Sequence, residues 1–242
     1  ITLAAFLLII LLPVGYYSIA LTPVGPLPEV LPFLKDTPDV QVISTTYLYF
    51  QPQTNPTTTG MIIYPGGRVD YRSYAPLARM LAEKGWPVAV VQMPLNLAVL
   101  APDKANEVMK DHPEVTRWVI AGHSLGGSMA SQFVVKNPGV IHGIIFLAAY
   151  PVDDKLQSSD IETLSIFASE DGLIPPSEWD TYHSRFPANT RWVEIQGGNH
   201  AGFGWYGAQN GDQPAAISLA EQTNQVFEAI DRSLERVSNN SQ

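Results

Sequence analysis

Between residues 40 and 237, short apolar runs alternate with segments whose apolar residues recur at helical spacing. The apolar runs predict strands at 40–52, 60–65, 87–94, 116–122, 141–150, 163–169 and 190–197. The segments between them predict helices at 71–84, 101–111, 124–136, 176–185 and 215–237. Because continuously apolar strands alternate with amphipathic helices, the pattern indicates an α/β fold with a mostly parallel sheet flanked by helices on both faces.

The first part of the chain follows neither pattern. Residues 1–21 are apolar or weakly polar, and no charged side chain occurs before Glu29, so this stretch is long enough to cross a bilayer as a helix. We expect a transmembrane anchor or an uncleaved signal there, with a cleaved signal peptide and a buried core helix as alternatives. Because no Lys or Arg occurs up to Val30, nothing holds the domain that follows this anchor in the cytoplasm, and we expect that domain to lie outside it.

Prolines at 23, 26, 28, 32 and 38 predict an extended Pro-rich linker over residues 22–38. Residues 39–242 then form the α/β domain.

Composition limits the possible binding partners. The chain has 14 Lys and Arg against 23 Asp and Glu, and the resulting net charge of -9 disfavours binding to nucleic acid. The absence of cysteine excludes disulfides, thiolate metal sites and cysteine nucleophiles.

The candidate functional residues are those that follow the strands, since ligands bind at the carboxyl ends of the strands in such sheets. The strand at 116–122 runs into Gly122-His123-Ser124-Leu125-Gly126-Gly127, a G-x-S-x-G pattern between a strand and a helix. Small flanking residues let a serine adopt the strained turn that lifts its hydroxyl above the sheet. The pattern therefore predicts that Ser124 is a nucleophile, and the alternative is an ordinary turn.

A serine hydroxyl needs a base, and the base needs an orienting acid. Two later strand ends provide them in the expected order: Asp171, with Glu170 as its rival, and then His200 in a glycine-rich loop. Asp153 and Asp154 are further candidates for the acid that orients His200.

The predicted oxyanion hole takes one backbone N–H from Leu125 and one from the loop after the 60–65 strand. In that loop, Gly67 is favoured as the donor and Arg68 is the alternative. We also expect Arg68, Phe203 and Trp205 to line the substrate pocket, although the two aromatic side chains would serve equally well in the core.

With these residues in hand, the chain resembles the α/β-hydrolase superfamily over about residues 40–237, and within it the compact branch near dienelactone hydrolase-like proteins. The resemblance is carried by "PGGRVDYRSYAPLARMLAEKGWPVAVV", "HPEVTRWVIAGHSLGGSMA" and "GGNHAGFGWYGAQNGD". It implies a Ser124, Asp171 and His200 triad and no metal or organic cofactor. The chain departs from the pattern at Pro65, where many relatives carry His, and in its serine nucleophile, since dienelactone hydrolase uses cysteine.

Only "PVDDKLQSSDIE" separates the strand that ends at Tyr150 from the next, which leaves no room for a large cap domain. The sequence thus predicts a serine hydrolase that cleaves small-molecule carboxylic esters, thioesters or lactones and contacts the lipid bilayer through residues 1–21. A non-catalytic accessory subunit of a membrane complex and an acyltransferase with the same triad are the alternatives.

Overall fold

The computed structural model describes residues 22–239, and within them eight strands form one twisted sheet. The predicted anchor or signal, residues 1–21, lies outside this part of the chain. The strands are β1 Val40–Ser44, β2 Tyr47–Pro52, β3 Thr59–Tyr64, β4 Val88–Val91, β5 Arg117–His123, β6 Gly143–Leu147, β7 Glu162–Ala168 and β8 Arg191–Ile195. Their spatial order is β1-β2-β4-β3-β5-β6-β7-β8, in which β2 is antiparallel to both of its neighbours and all the other pairs are parallel.

The prediction of one continuous strand over residues 40–52 is wrong, although its first part, β1, does lie at the edge of the sheet. The chain turns at Thr45 and Thr46, so that Ser44 pairs with Leu48 and Val40 pairs with Pro52 in an antiparallel hairpin. The polar run Ser44-Thr45-Thr46 offers nothing to bury at this point, and the proline lies at the end of a strand, where the loss of one N–H is tolerated.

Helices cover both faces of the sheet: α1 Ala75–Glu83, α2 Ala105–Asp111, α3 Leu125–Lys136, α4 Trp179–His183 and α5 Leu219–Asn239. Short 3-10 helices lie at Pro28–Leu34, Tyr71–Tyr74, Pro94–Asn96, Ala98–Leu100, Asp154–Leu156, Pro176–Glu178 and Ala201–Phe203. The helices α1 and α5 pack on one face through Leu81 and Ile230, while α2, α3 and α4 bury side chains such as Phe133 on the other. The strands are apolar on both sides because both faces are covered.

The expected extended conformation of residues 22–38 is wrong over Pro28–Leu34, which forms a 3-10 helix that begins with proline, where a missing N–H costs nothing. Its Val30 is fully buried in the core. The guanidinium of Arg79 on α1 donates hydrogen bonds to the Phe33 carbonyl (3.2 Å) and the Thr37 hydroxyl (2.9 Å). This segment is therefore packed on the domain from its first turn onward.

The connection between β6 and β7 contains only the 3-10 helix Asp154–Leu156. The prediction of a mostly parallel α/β sheet flanked by helices, with no large cap domain, is therefore confirmed. None of the helices between residues 22 and 239 is both long enough and apolar enough to cross a membrane.

Candidate active site

The predicted site residues follow the carboxyl ends of four strands. Gly67 comes after β3, Ser124 after β5, Asp171 after β7 and His200 after β8. Because these strands are parallel, their carboxyl ends lie at one edge of the sheet. The topology therefore gathers residues that are distant in the sequence.

Ser124 occupies a strained turn between β5 and α3. Its backbone angles are φ 51° and ψ −123°, which are unfavourable for a residue with a Cβ and are typical of a serine held at a sharp strand-to-helix turn. The Ser124 N–H donates to the Leu147 carbonyl at 3.0 Å. At Gly126, a Cβ would lie 2.3 Å from the Tyr64 carbonyl oxygen, so only glycine lets α3 start this close to β3.

Asp171 and His200 form a buried pair. The carboxylate Oδ2 of Asp171 accepts a hydrogen bond from Nδ1 of His200 at 2.8 Å, while Oδ1 accepts the N–H groups of Leu173 (2.8 Å) and Ile174 (2.7 Å). The two backbone N–H groups fix the orientation of the Asp171 carboxylate and leave Oδ2 for the His200 imidazole. The rival Glu170 accepts instead from the Ser169 hydroxyl at 3.1 Å. The structure thus brings His200 together with Asp171 and not with Glu170.

The other nitrogen of His200, Nε2, is buried and has no hydrogen-bond partner among residues 22–239. The His200 ring lies 4.7 Å from the ring of His123, the residue before Ser124. No hydrogen bond joins Ser124 to His200 in this structure. Such bonds are often long in the absence of substrate and shorten when it binds.

The three N–H groups of the loop after β3 differ in what they bind. The Gly66 N–H donates to the Tyr74 hydroxyl at 2.9 Å, and the Arg68 N–H donates to the Asn96 carbonyl at 2.7 Å. Between them, the Gly67 N–H makes no hydrogen bond within the described part of the chain. The Gly67 position faces Leu125, because a Cβ on residue 67 would lie 3.1 Å from the Leu125 Cδ2.

Tyr74 and His123 are site residues that the sequence reasoning missed. The Tyr74 hydroxyl accepts from the Gly66 N–H, so it donates its own proton to Nδ1 of His123 at 2.8 Å. His123 is fully buried, and this burial lowers its pKa well below the usual value, with a further lowering by charge on His200 and a partial opposing effect of the His200 backbone. Its Nε2 makes no hydrogen bond of regular geometry within residues 22–239. A neutral imidazole therefore packs between the glycine loop and His200.

Asp212 was also missed, and it joins the two loops that carry Asp171 and His200. Its Oδ1 accepts the N–H of Gly172 at 3.0 Å and that of His200 at 3.3 Å, and its Oδ2 accepts the N–H of Ala201 at 2.8 Å. Its sequence context, "QNGDQP", looks like an ordinary turn and carries no signal of this role.

The remaining predicted residues are placed as follows. Arg68 is exposed at the sheet edge and has a positive φ of 63°. Phe203 is buried, and the centroid of its ring lies 5.8 Å from that of His123. The indole N–H of Trp205 donates to the Thr223 hydroxyl at 2.9 Å, and its ring packs edge-on against Phe33. Core packing thus accounts for both aromatic side chains without a substrate. The candidate acid Asp153 is paired with Lys155 at 2.5 Å.

A cavity of about 490 Å³ lies away from these residues. It is lined by the end of α3 and the starts of β6 and β7, including Val134, Ile141 and Ile161. These are the amino ends of the strands, opposite the edge that carries Ser124, and none of the predicted site residues lines it. Within residues 22–239, no group of three or more His, Asp and Glu side chains is arranged to hold a metal ion.

This fold and strand-end geometry agree with comparisons to known proteins. A profile described as "Alpha/beta hydrolase family" matches residues 60–224. Since the match spans more than half of the sequence, the chain belongs to the alpha/beta hydrolase family, and this membership supports a hydrolase function in general. No curated protein sequence matches the chain significantly.

Solved structures share the fold at low identity. A predicted CIB-like hydrolase from Thermoplasma acidophilum is 18% identical with a TM-score of 0.53, and the match covers 80% of this chain and 97% of that one. An alpha-beta serine hydrolase homologue from Coxiella burnetii is 14% identical with a TM-score of 0.57, covering 82% and 98%. TT1662 from Thermus thermophilus is also 14% identical, with a TM-score of 0.57, covering 81% and 98%. At these identities the likeness shows the fold alone.

Proposed function

We propose that this protein is a serine hydrolase that cleaves carboxylic esters, thioesters or lactones through an acyl-enzyme on Ser124. The observation that supports this most directly is the strained turn at Ser124 on the sheet edge that also carries the buried Asp171–His200 pair. Strain of this kind persists only where the surrounding structure holds it, and it is typical of functional sites.

In the proposed cycle, His200 Nε2 takes the proton of the Ser124 hydroxyl as Oγ attacks the substrate carbonyl. Asp171 stays ionised and keeps the Nδ1 proton of His200 in place. His200 then gives its proton to the leaving alcohol, thiol or hydroxyl group, and the ester bond breaks. A water molecule, activated by the same imidazole, finally releases the carboxylic acid from Ser124.

We propose that the negative oxygen of the tetrahedral intermediate is held by the N–H groups of Gly67 and Leu125. Three facts support this choice. The Arg68 N–H is already bound to Asn96, the Gly67 N–H is unused, and Leu125 is the first residue of α3, where an N–H has no partner within the helix. One such donor typically contributes a factor of about 10²–10³ in rate.

A fluorophosphonate probe tests the proposal, since it reacts covalently only with an activated serine. We expect the wild-type chain to be labelled and to hydrolyse p-nitrophenyl acetate, and Ser124→Ala to do neither. Ser128→Ala is the matched control, because the Ser128 hydroxyl is one turn further along α3 and donates to the Tyr150 carbonyl at 2.8 Å. Folded wild-type protein that resists the probe would instead favour an accessory, non-catalytic role.

A further inference from the structure

Exposed apolar side chains occur at the carboxyl edge of the sheet, the edge that also carries the candidate active site. Seven large apolar side chains are exposed between residues 22 and 239, and four of them, Val24, Leu95, Val99 and Leu100, lie at the carboxyl edge of the sheet. We call these four residues the mouth patch. Leu95, Val99 and Leu100 are each more than half exposed, at 58%, 53% and 53%. Exposed apolar groups that cluster in this way mark a contact surface.

Backbone hydrogen bonds tie the mouth patch to the proposed oxyanion loop. The Arg68 N–H donates to the carbonyl of Asn96, which neighbours Leu95, at 2.7 Å, and the Arg68 carbonyl accepts from the Val24 N–H, also at 2.7 Å. The turn Ala98–Leu100 packs against α3, the helix that begins directly after Ser124. The mouth patch is therefore joined to both the proposed oxyanion loop and the helix that follows Ser124.

The apolar segment of residues 1–21 joins the domain at this same place. Val24 pairs with Val69 in a parallel bridge, so only Thr22 and Pro23 separate the segment from the mouth patch. No charged residue occurs in residues 1–28, nor in residues 92–102, although the chain carries a net charge of -9. The exposed Arg68 lies beside the mouth patch, since it bonds to both Asn96 and Val24. An aliphatic surface next to a cationic side chain and an uncharged apolar segment fits the boundary between the hydrocarbon and the headgroups of a lipid bilayer.

We propose that the mouth patch lies against the lipid bilayer into which residues 1–21 insert, so that Ser124 opens towards the membrane interface and takes the acyl esters of membrane lipids. The substrate class rests on the proposed function, whereas the bilayer contact does not. In the reaction, the Ser124 Oγ–acyl bond forms, the ester C–O bond of the lipid breaks, and the deacylated lipid leaves with the proton from His200. Water then releases the fatty acid.

The contact can be measured on the full chain because the sequence contains no cysteine. Leu95→Cys and Val99→Cys would each be labelled with the environment-sensitive fluorophore NBD and reconstituted in phosphatidylcholine vesicles that contain doxyl-labelled lipid. Val140→Cys is the matched control, since Val140 is also exposed (40%) but lies at the opposite edge of the sheet. We expect lipid quenching to be at least about threefold greater at positions 95 and 99 than at 140, as for side chains that reach the acyl boundary.

Equal quenching at all three positions, or none at 95 and 99, would overturn the proposal. A blue-shifted label that doxyl lipid does not quench would overturn it too, because residues 1–21 or a second copy of the chain would then cover the mouth patch. This measurement does not depend on catalysis. Its failure is therefore distinct from failure of the fluorophosphonate probe to label Ser124.

The substrate class has its own test. The ratio of the hydrolysis rate for phosphatidylcholine in vesicles to that for p-nitrophenyl acetate in solution should fall about tenfold in Leu95→Ser/Val99→Ser, because apolar burial at the interface is lost. Val140→Ser should keep the wild-type ratio, and fluorophosphonate labelling reports whether each variant is folded. An unchanged ratio in the double variant, or no hydrolysis of vesicle lipid by labelled wild type, would rule out lipid esters.

Discussion

The Tyr74 hydroxyl donates a 2.8 Å hydrogen bond to Nδ1 of His123 while it accepts one from the Gly66 N–H. Both side chains are buried. One phenol thus connects the loop after β3 with the residue before Ser124, so the two parts of the candidate site share this support.

Replacing Tyr74 with phenylalanine tests that support. Tyr74→Phe leaves a buried N–H and a buried imidazole nitrogen without partners, so the free energy of unfolding should fall by about 1–3 kcal/mol. The kcat of the proposed hydrolysis of p-nitrophenyl acetate should also fall, since the loop after β3 loses the Tyr74 hydroxyl that binds the Gly66 N–H. Urea unfolding and p-nitrophenyl acetate kinetics measure the two effects. Tyr206→Phe is the control, because Tyr206 is similarly buried but bonds to Gln209 (2.8 Å). Equal loss of kcat in both variants would contradict the role of Tyr74.

His123 should make stability depend on pH. Burial, followed by charge on His200, lowers its pKa well below 6.5, so at mildly acidic pH the unfolded chain binds a proton that the folded chain does not. The stability that neutral His123 contributes is present above pH 6.5 and is lost as the pH falls, by at most about 1.4 kcal/mol per pH unit.

Urea unfolding at several pH values between about 7.5 and 5 measures how the free energy of unfolding changes with pH. His123→Gln removes the titrating group and should flatten the curve. His142→Gln is the comparison variant, because the pKa of His142 is also lowered, first by burial and then by the charge of Arg117. A His123→Gln curve as steep as that of the wild type would show that other groups cause the acid sensitivity.

The acid of the proposed triad can be distinguished from its neighbour. Asp171→Asn replaces the carboxylate that holds Nδ1–H of His200, so the wrong tautomer is favoured and kcat should fall by about 10³–10⁴-fold. Glu170→Gln should change kcat by less than about threefold, because Glu170 bonds to Ser169 and not to the imidazole. Comparable losses in the two variants would count against Asp171. Burst kinetics measure kcat for each variant, and circular dichroism spectra that match the wild-type spectrum show that the variant is folded.

Asp212 should matter for catalysis although it does not touch the proposed reacting atoms. Asp212→Asn turns one acceptor oxygen into an NH₂ group that faces backbone N–H donors on the two loops, at a cost of about 1–3 kcal/mol. We expect a lower melting temperature, and a kcat reduced more than KM is raised. Asp160→Asn, the same change at an exposed position, should leave both unaffected. Wild-type kcat in Asp212→Asn would refute a positioning role.

Gly67 tests the oxyanion loop. A Cβ there would lie 3.1 Å from Leu125 Cδ2, so Gly67→Ala should shift the loop slightly and lower kcat/KM by about tenfold. Adding Leu125→Ala removes the clashing methyl group but keeps the Leu125 N–H, and the double variant should recover part of the loss. Losses that simply add in the double variant would mean that this contact is not the cause.

The sequence was informative wherever a local pattern determines the structure. Apolar periodicity predicted the alternation of strands and helices, and the glycines around Ser124 predicted its sharp turn, because both depend on neighbours within a few residues. The order of strand ends was then enough to gather Ser124, Asp171 and His200 at one edge.

Long-range hydrogen bonds were not visible in the same way. Tyr74 meets His123 across 49 residues, and Asp212 meets Gly172 across 40, and neither pair stands out from the composition of its segment. The turn at Thr45 and Thr46 was missed because a continuous β-branched and aromatic run conceals a hairpin.

Gly126 has a consequence for how this protein can vary. Because a Cβ at position 126 would lie 2.3 Å from the Tyr64 carbonyl oxygen and 2.4 Å from that of Pro65, the first turn of α3 lies against the backbone after β3 with no room for a side chain between them. Over evolutionary time this contact can persist through substitutions elsewhere in the core only if position 126 stays glycine, and the same holds for Gly122 and Gly127, where a Cβ would also lie less than 3 Å from backbone atoms.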